Sequence, residues 1–189
     1  MHSVFVAGSR AIPRLNQQIR ERLDNIMRQE FTVLVGDANG ADKAVQRYLA
    51  ARGYLKVIVY CMEECRNNLA GWPVRAHASE SVVRRDRHYY GIKDCAMAHD
   101  ATCGFMLWDG ISKGTLTNVI NLLNSGKKVL LYLSPGRKFF TLCCFEDLRQ
   151  ALTGCGFGDA SGYLASLGIK DSASRDLPRT PFTLLSPTH

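Results

Sequence analysis

The chain has 189 residues, of which 46% are hydrophobic and 22% are charged. This length suits one large domain, and the composition excludes an intrinsically disordered or collagen-like chain. Its 24 lysines and arginines outnumber its 17 acids, which gives a net charge of +7. The seven cysteines are an odd count at irregular spacings, which favours reduced thiols in the cytoplasm over a disulfide framework.

Membrane insertion and secretion are both disfavoured. No apolar run reaches the roughly 18 residues that indicate a membrane span. The chain begins with a short apolar run, without the charged and then apolar leader of a secreted protein. We therefore expect a cytoplasmic protein with no membrane partner.

Apolar runs and helical periodicities alternate along the chain. Short apolar runs predict five strands, at residues 4–7, 32–35, 55–61, 101–108 and 128–133. Helical spacing predicts a first helix with Pro13 at its first position, a second from Ala41 until Gly53, and further helices at residues 80–99, 114–124, 145–152 and 161–167. Residues 62–79 are predicted to be irregular, because Gly71-Trp72-Pro73 signals a turn.

This alternation predicts the fold class. Strands that alternate with helices form a parallel sheet covered on both faces, and right-handed crossovers make the fold doubly wound. We expect a Rossmann-like α/β domain of about five mostly parallel strands over residues 1–168. The Ser/Thr/Pro-rich residues 169–189 are predicted to form an irregular tail.

Three loops of small and polar residues follow the first, second and fourth predicted strands. They are Gly8-Ser9-Arg10, the segment from Gly36 to Asp42, and the segment from Trp108 to Thr115. In doubly wound folds ligands bind beyond the carboxyl ends of the strands, so these loops are expected to share one ligand edge.

The chemistry of these loops suits an anion. Glycines let the backbone approach a ligand closely, and a helix N-terminus favours negative charge. Thr115 would add a hydroxyl donor, and Arg10 and Lys113 would add positive charge. None of the loops is a Walker loop or a G-x-G-x-x-G fingerprint, which disfavours an ATPase or a dinucleotide dehydrogenase.

Together the three loops resemble those of the SLOG superfamily, Rossmann-like domains named for the Smf/DprA and LOG proteins. The resemblance spans residues 3–133 and is similar to the small stand-alone bacterial members. It implies a homodimer that binds a phosphorylated nucleoside-type ligand, with the phosphate near Gly114 and Thr115 and with no further cofactor. The implied ligand-binding residues are Gly8, Ser9, Arg10, Gly36, Asp37, Gly40, Asp42, Arg84, Arg85, Trp108, Asp109, Ser112, Lys113, Gly114, Thr115 and Asn118.

One position departs from the family pattern. The LOG branch and the similar nucleoside deoxyribosyltransferases cleave N-glycosidic bonds with an acid three residues after the Gly-Thr threonine. Asn118 stands at that position here. A neutral amide cannot take up a proton or stabilise an oxocarbenium-like state as a carboxylate does. Any surviving catalysis would need another acid, and Asp109 or Asp86 are the candidates nearest in sequence.

Several of these residues have an equally plausible structural role. Asp37 and Asp42 could bind a ribose hydroxyl, or they could serve as a turn residue and a helix cap. Trp108 could stack on a base, although an aromatic residue at this position more often packs in the core. Cys61 and Cys65 form a C-x3-C pair that is more typical of core residues than of zinc, so we predict no metal site.

Three functions follow from the sequence, in order of preference. The first is a sensor or carrier that binds a nucleotide-derived ligand, and the second is an enzyme of the phosphoribohydrolase or deoxyribosyltransferase type. The third is weak binding of single-stranded DNA, as in Smf/DprA members. The basic residues exceed the acids by nine to five in residues 1–60 and by five to one in residues 101–140. These blocks hold the first and third loops, and neither contains a dense basic run, which favours a small anion over a nucleic acid.

Overall fold

The computed structural model describes residues 2–78 and 87–166, which form one seven-stranded sheet with helices on both faces. The strands are β1 (Ser3–Gly8), β2 (Thr32–Gly36), β3 (Val57–Met62), β4 (Val74–His77), β5 (Cys103–Trp108), β6 (Val129–Leu133) and β7 (Lys138–Leu142). The helices are α1 (Gln17–Arg28), α2 (Ala41–Ala51), α3 (Arg87–Asp100), α4 (Lys113–Asn124), α5 (Phe145–Gly154) and α6 (Ala160–Ser166).

The strand order is β4-β3-β2-β1-β5-β6-β7, and every neighbouring pair is parallel except β6 and β7. The chain builds outward from β1 to β4 and then returns to place β5 on the other side of β1. This reversal puts the topological switch point between β1 and β5, where doubly wound folds open a ligand crevice. The predicted Rossmann-like α/β class with a mostly parallel sheet is therefore confirmed.

The predicted number of about five strands was too low. Residues 74–77 had been assigned to an irregular segment, yet Val74 pairs with Val59 of β3 as an edge strand. At the other edge, Lys138 pairs with Leu133 to begin the antiparallel β7. Both missed strands lie at a sheet edge, where one side has no partner strand and few side chains are buried. Their sequences therefore lack the continuous apolar run by which buried parallel strands are recognised.

The first helix begins later than predicted. Pro13 does not occupy its first position, because α1 starts at Gln17 and Asn16 is its N-cap. The Asn16 Oδ1 accepts a hydrogen bond of 3.0 Å from the backbone N–H of Ile19. Asparagine is among the preferred N-cap residues because its side chain satisfies a backbone donor of the first turn. Residues 9–16 consequently form an extended connection at the carboxyl edge of the sheet.

The two faces of the sheet bury separate hydrophobic cores. In β1, Val4 and Val6 face α1 and α2, whereas Phe5 and Ala7 face α3, α4 and the C-terminal helices. Residues in the centre of a doubly covered sheet are buried on both faces, so β1 and β5 read as unbroken apolar runs. In the part of the chain that the structure describes, no helix is long and apolar enough to span a bilayer.

Candidate functional site

The three predicted loops meet at the carboxyl edge of the sheet, and Ser9 joins them. Its hydroxyl donates a 2.6 Å hydrogen bond to Oδ2 of Asp109 in the β5–α4 loop. Its carbonyl oxygen accepts a 3.1 Å hydrogen bond from the backbone N–H of Ala41, at the start of α2. The side chain and the backbone of this one buried serine thus fix all three loops relative to one another.

Two glycines in these loops serve close contacts within the protein. A Cβ atom on Gly40 would lie 2.3 Å from the Arg10 Cα, and its φ of +86° is in the region that glycine favours. A Cβ atom on Gly8 would lie 2.4 Å from the carbonyl oxygen of Leu107. These glycines let neighbouring segments pack backbone against backbone, so their presence does not require a ligand.

Asp109 organises the β5–α4 loop as a carboxylate. One oxygen accepts the Ser9 hydroxyl, and the other accepts the backbone N–H groups of Ile111 (3.0 Å) and Ser112 (2.7 Å). Burial alone would raise the pKa of Asp109, but these hydrogen bonds outweigh it and hold the pKa below its usual range. Such a group is a weak general base and is not protonated at neutral pH, which makes it a poor substitute for the acid missing at Asn118.

The start of α4 is capped within the loop and open to solvent beyond it. Ser112 is the N-cap, and its Oγ accepts 3.4 Å and 3.0 Å hydrogen bonds from the backbone N–H and the hydroxyl of Thr115. Gly114 faces open space, because nothing lies within 4 Å of a Cβ atom placed on it. The Lys113 side chain is exposed and has no ion-pair partner among the described residues. The predicted phosphate position is therefore accessible and electropositive.

Asn118 lies one turn further along α4 and is 5% exposed. Its side-chain amide makes no hydrogen bond with any residue that the structure describes. Within the same residues, only His77 Nε2 is fully enclosed without a partner, so the Asn118 amide keeps an opening to solvent. A nearly buried amide without a partner normally carries a free-energy cost, which a hydrogen-bonding ligand would remove.

Asp37 and Asp42 belong instead to a buried ionic cluster below the β2–α2 loop. Asp37 is 1% exposed and accepts hydrogen bonds of 2.9 Å and 2.7 Å from the Arg66 guanidinium. The Lys93 ammonium of α3 lies 4.0 Å from Asp37 and 2.9 Å from Asp94. Both the Asp42 carboxylate and the Lys93 ammonium sit over Gly36, where any side chain would collide with them. Such an arrangement fits the structural alternative for both aspartates.

The two aspartates titrate in opposite directions. Burial would raise the pKa of Asp37, but the hydrogen bonds from Arg66 and the charge of Lys93 lower it overall. Burial raises the pKa of Asp42 to about 6, because it exceeds the attraction of Lys93. Burial also opposes the charge of Lys93, yet Asp94 and Asp42 raise its pKa. At neutral pH the cluster holds its ammonium against several carboxylates.

This raised pKa predicts that Asp42→Asn changes the pH dependence of stability. A carboxyl whose pKa is higher in the folded state stabilises the fold below about pH 4, and this contribution is lost as the pH rises through 6. The free energy of unfolding of the variant, minus that of the natural protein, should therefore increase by up to about 3 kcal/mol between pH 4 and 7. Urea unfolding of both proteins across this range measures the difference, and a flat difference would contradict the raised pKa.

Lys93 and Arg66 were missed in the sequence. Lys93 is 4% exposed and stands four residues from both Tyr89 and Met97, which are also buried. A lysine on the apolar stripe of a helix was thus the available signal. For Arg66 no local signal exists, because its partner Asp37 lies 29 residues away in the chain.

Other predicted site residues are less available to a ligand. Trp108 is 1% exposed, stacks on Phe157 at 5.0 Å and donates its Nε1–H to the Ser112 carbonyl, so the packing alternative describes it. The segment with Arg84, Arg85 and Asp86 lies outside the described residues. In the described ranges, no group of three or more His, Cys, Asp or Glu side chains could hold a metal ion.

No protein-family model and no curated protein matches the sequence. Among solved structures, the chain is similar to DNA processing protein A from Helicobacter pylori, with a TM-score of 0.53 over 88% of this chain and 80% of that one. That structure gave insight into a unique single-stranded DNA binding mode. The likeness is one of fold. At 11% sequence identity it supports the expected SLOG-type, Rossmann-like relationship at the level of architecture.

Proposed function

We propose that the protein binds a nucleotide or nucleotide-derived ligand at the carboxyl edge of the sheet, with a phosphate at Gly114 and Thr115. The observation that carries this proposal is the unpartnered amide of Asn118 beside the open start of α4. Backbone N–H groups of a first helical turn have no partner within the helix and bind anions readily. The Asn118 amide would add a donor and an acceptor for the same ligand.

The surrounding charge supports the same ligand. Arg10 and Lys113 are exposed, and neither has an ion-pair partner in the described part of the chain. The nearby Asp109 carboxylate is satisfied by three hydrogen bonds, which spread its negative charge into the loop. With an amide where the related enzymes have an acid, and with Asp109 occupied, the site is suited to bind without cleaving. A sensor or carrier therefore fits it better than a hydrolase.

Asn118→Asp is expected to weaken the binding of a nucleoside monophosphate at least about tenfold, because the new carboxylate repels the phosphate. Isothermal titration with adenosine and guanosine monophosphates, and with the unphosphorylated nucleosides, measures this. The natural protein should bind the phosphorylated forms more tightly.

Asn121→Asp is the matched control, since it adds the same charge one turn further from the loop, where Asn121 contacts Cys95 of α3. It should leave the affinity within about twofold of the natural protein, as expected for a more distant and more exposed charge. Equal weakening by both variants, or no binding of any nucleotide by the natural protein, would contradict the proposal.

The alternative is that the edge binds single-stranded DNA, which the likeness to DNA processing protein A favours. Five exposed cations at this edge have no ion-pair partner among the described residues, namely Arg10, Arg14, Lys113, Arg137 and Lys138. Single-strand binding proteins combine such positive charge with sequence tolerance.

Fluorescence anisotropy with a labelled oligodeoxythymidine at several salt concentrations tests this alternative. Each phosphate contact contributes a slope of about −0.7 to log K against log salt concentration. Combined Arg10→Ala and Lys113→Ala substitutions should then make the slope shallower by roughly 1.4, whereas Arg47→Ala on the exposed side of α2 should not. No measurable binding at low salt would exclude this function.

A further inference from the structure

A second cleft opens at the same edge, between the start of α1 and the turn that joins β6 to β7. Its volume is about 330 Å³, and its polar lining consists of Arg14, Asn16, Tyr132, Ser134 and Arg137. Pro135 in this turn lies 3.8 Å from the position of a Cβ atom on Gly110, so the β5–α4 loop borders the cleft. None of the lining residues belongs to the nucleotide site proposed above.

The charge of the cleft is positive and uncompensated. Arg14 and Arg137 are both exposed, and neither guanidinium has an ion pair or hydrogen bond with a residue that the structure describes. No aspartate or glutamate is among the described residues that line the cleft. Two arginines that share a concave surface without a carboxylate form a site for an anion.

A nearly buried hydroxyl supplies a further donor. Because Asn16 Oδ1 caps the backbone N–H of Ile19 at 3.0 Å, its Nδ2 must face the other way, where it donates to the Tyr132 oxygen at 2.5 Å. The Tyr132 oxygen is therefore an acceptor in this contact, and its own proton has no acceptor among the described residues. Tyr132 is 2% exposed and lines the cleft, so this O–H is an unused donor for a bound group.

The backbone of Arg137 is also unusual. Its φ is +48°, in the left-handed region that glycine favours, whereas the preceding Gly136 has no positive φ. The chain thus carries an arginine at the position of this turn where glycine would be the easier residue. Replacement of Arg137 by glycine consequently removes the guanidinium without straining the fold.

We propose that this cleft binds a phosphate group through the guanidinium groups of Arg14 and Arg137 and the hydroxyl of Tyr132. The lining groups that lack partners are donors, and they match the oxygens of a phosphate. The phosphate belongs either to a mononucleotide or to the backbone of a polynucleotide. This site does not depend on the nucleotide site at α4, and either can exist without the other.

Titration of inorganic phosphate into ¹⁵N-labelled protein, followed by amide chemical shifts, tests the cleft directly. Saturable shifts are expected for residues 134–137 and for the side-chain amide of Asn16. Arg137→Gly should raise the dissociation constant read from these amides about tenfold, and Tyr132→Phe should also raise it, because each removes one hydrogen bond to an anion. Arg47→Ala removes the same charge from the exposed side of α2 and should leave it unchanged.

Shifts of residues 113–115 report on the α4 site separately. Phosphate shifts confined to those residues would overturn the cleft proposal while leaving the proposed function intact. Equal affinity of the cleft in Arg137→Gly and Arg47→Ala would also overturn it. With adenosine monophosphate and a short single-stranded oligonucleotide as further probes, cleft shifts with the mononucleotide support a small ligand. Cleft shifts with the oligonucleotide alone support a polynucleotide backbone.

Discussion

Gly40→Ala is expected to lower the free energy of unfolding by about 3 kcal/mol or more. Two costs combine at this position. The residue holds a φ of +86° and a ψ of −128°, a conformation that side chains with a Cβ atom rarely adopt. The added methyl would also lie 2.3 Å from the Cα and 2.5 Å from the carbonyl oxygen of Arg10, and neither backbone atom can move without shifting the loop. Thermal or urea unfolding measures the loss.

Gly114→Ala is the matched control for this substitution. Gly114 lies in the first turn of α4, has no positive φ, and has nothing within 4 Å of the added Cβ atom. Alanine is the better helix former there, so the control should unfold with an unchanged or slightly higher free energy. A Gly40→Ala protein as stable as this control would show that the β1–α1 and β2–α2 loops do not pack as described.

Asp37→Asn is expected to cost about 3 kcal/mol of stability, because it removes the charge that two buried or half-buried cations face. The Arg66 guanidinium loses its carboxylate partner, and the nearly buried Lys93 keeps only Asp94 and Asp42. Removing one member of a buried charge cluster leaves the others with an uncompensated desolvation cost. Equilibrium unfolding in urea at pH 7 measures the change.

Asp24→Asn provides the comparison, because it removes a carboxylate from an ion pair that is open to solvent. Asp24 lies 2.7 Å from Arg52, and their side chains are 32% and 48% exposed. Such surface pairs contribute at most about 1 kcal/mol. If Asp37→Asn cost no more than Asp24→Asn but weakened ligand binding, Asp37 would be a ligand residue and its structural role would be wrong.

Local patterns were sufficient for the central part of this fold. The apolar runs of β1, β2, β5 and β6 and the turn residues after them depend on neighbours in the sequence, so they could be recognised without the structure. The edge strands β4 and β7 could not, since an edge strand is defined by its pairing with β3 or β6 rather than by its own burial. Pro13 misled for a similar reason, because the Asn16 cap and its contact with Tyr132 decide where α1 begins.

The sequence by itself determined the α/β class, the switch point and the three loops, because hydrophobic period and turn chemistry are local properties. Only the tertiary structure decided what each polar residue in those loops does. Asp37 meets Arg66 and Lys93 across 29 and 56 positions of chain, while Ser9 and Asp109 meet across 100. Ion pairs and hydrogen bonds of this range exist only after the chain has folded. The basic balance of the sequence has the same basis, since folding brings Arg14 and Arg137 to one cleft.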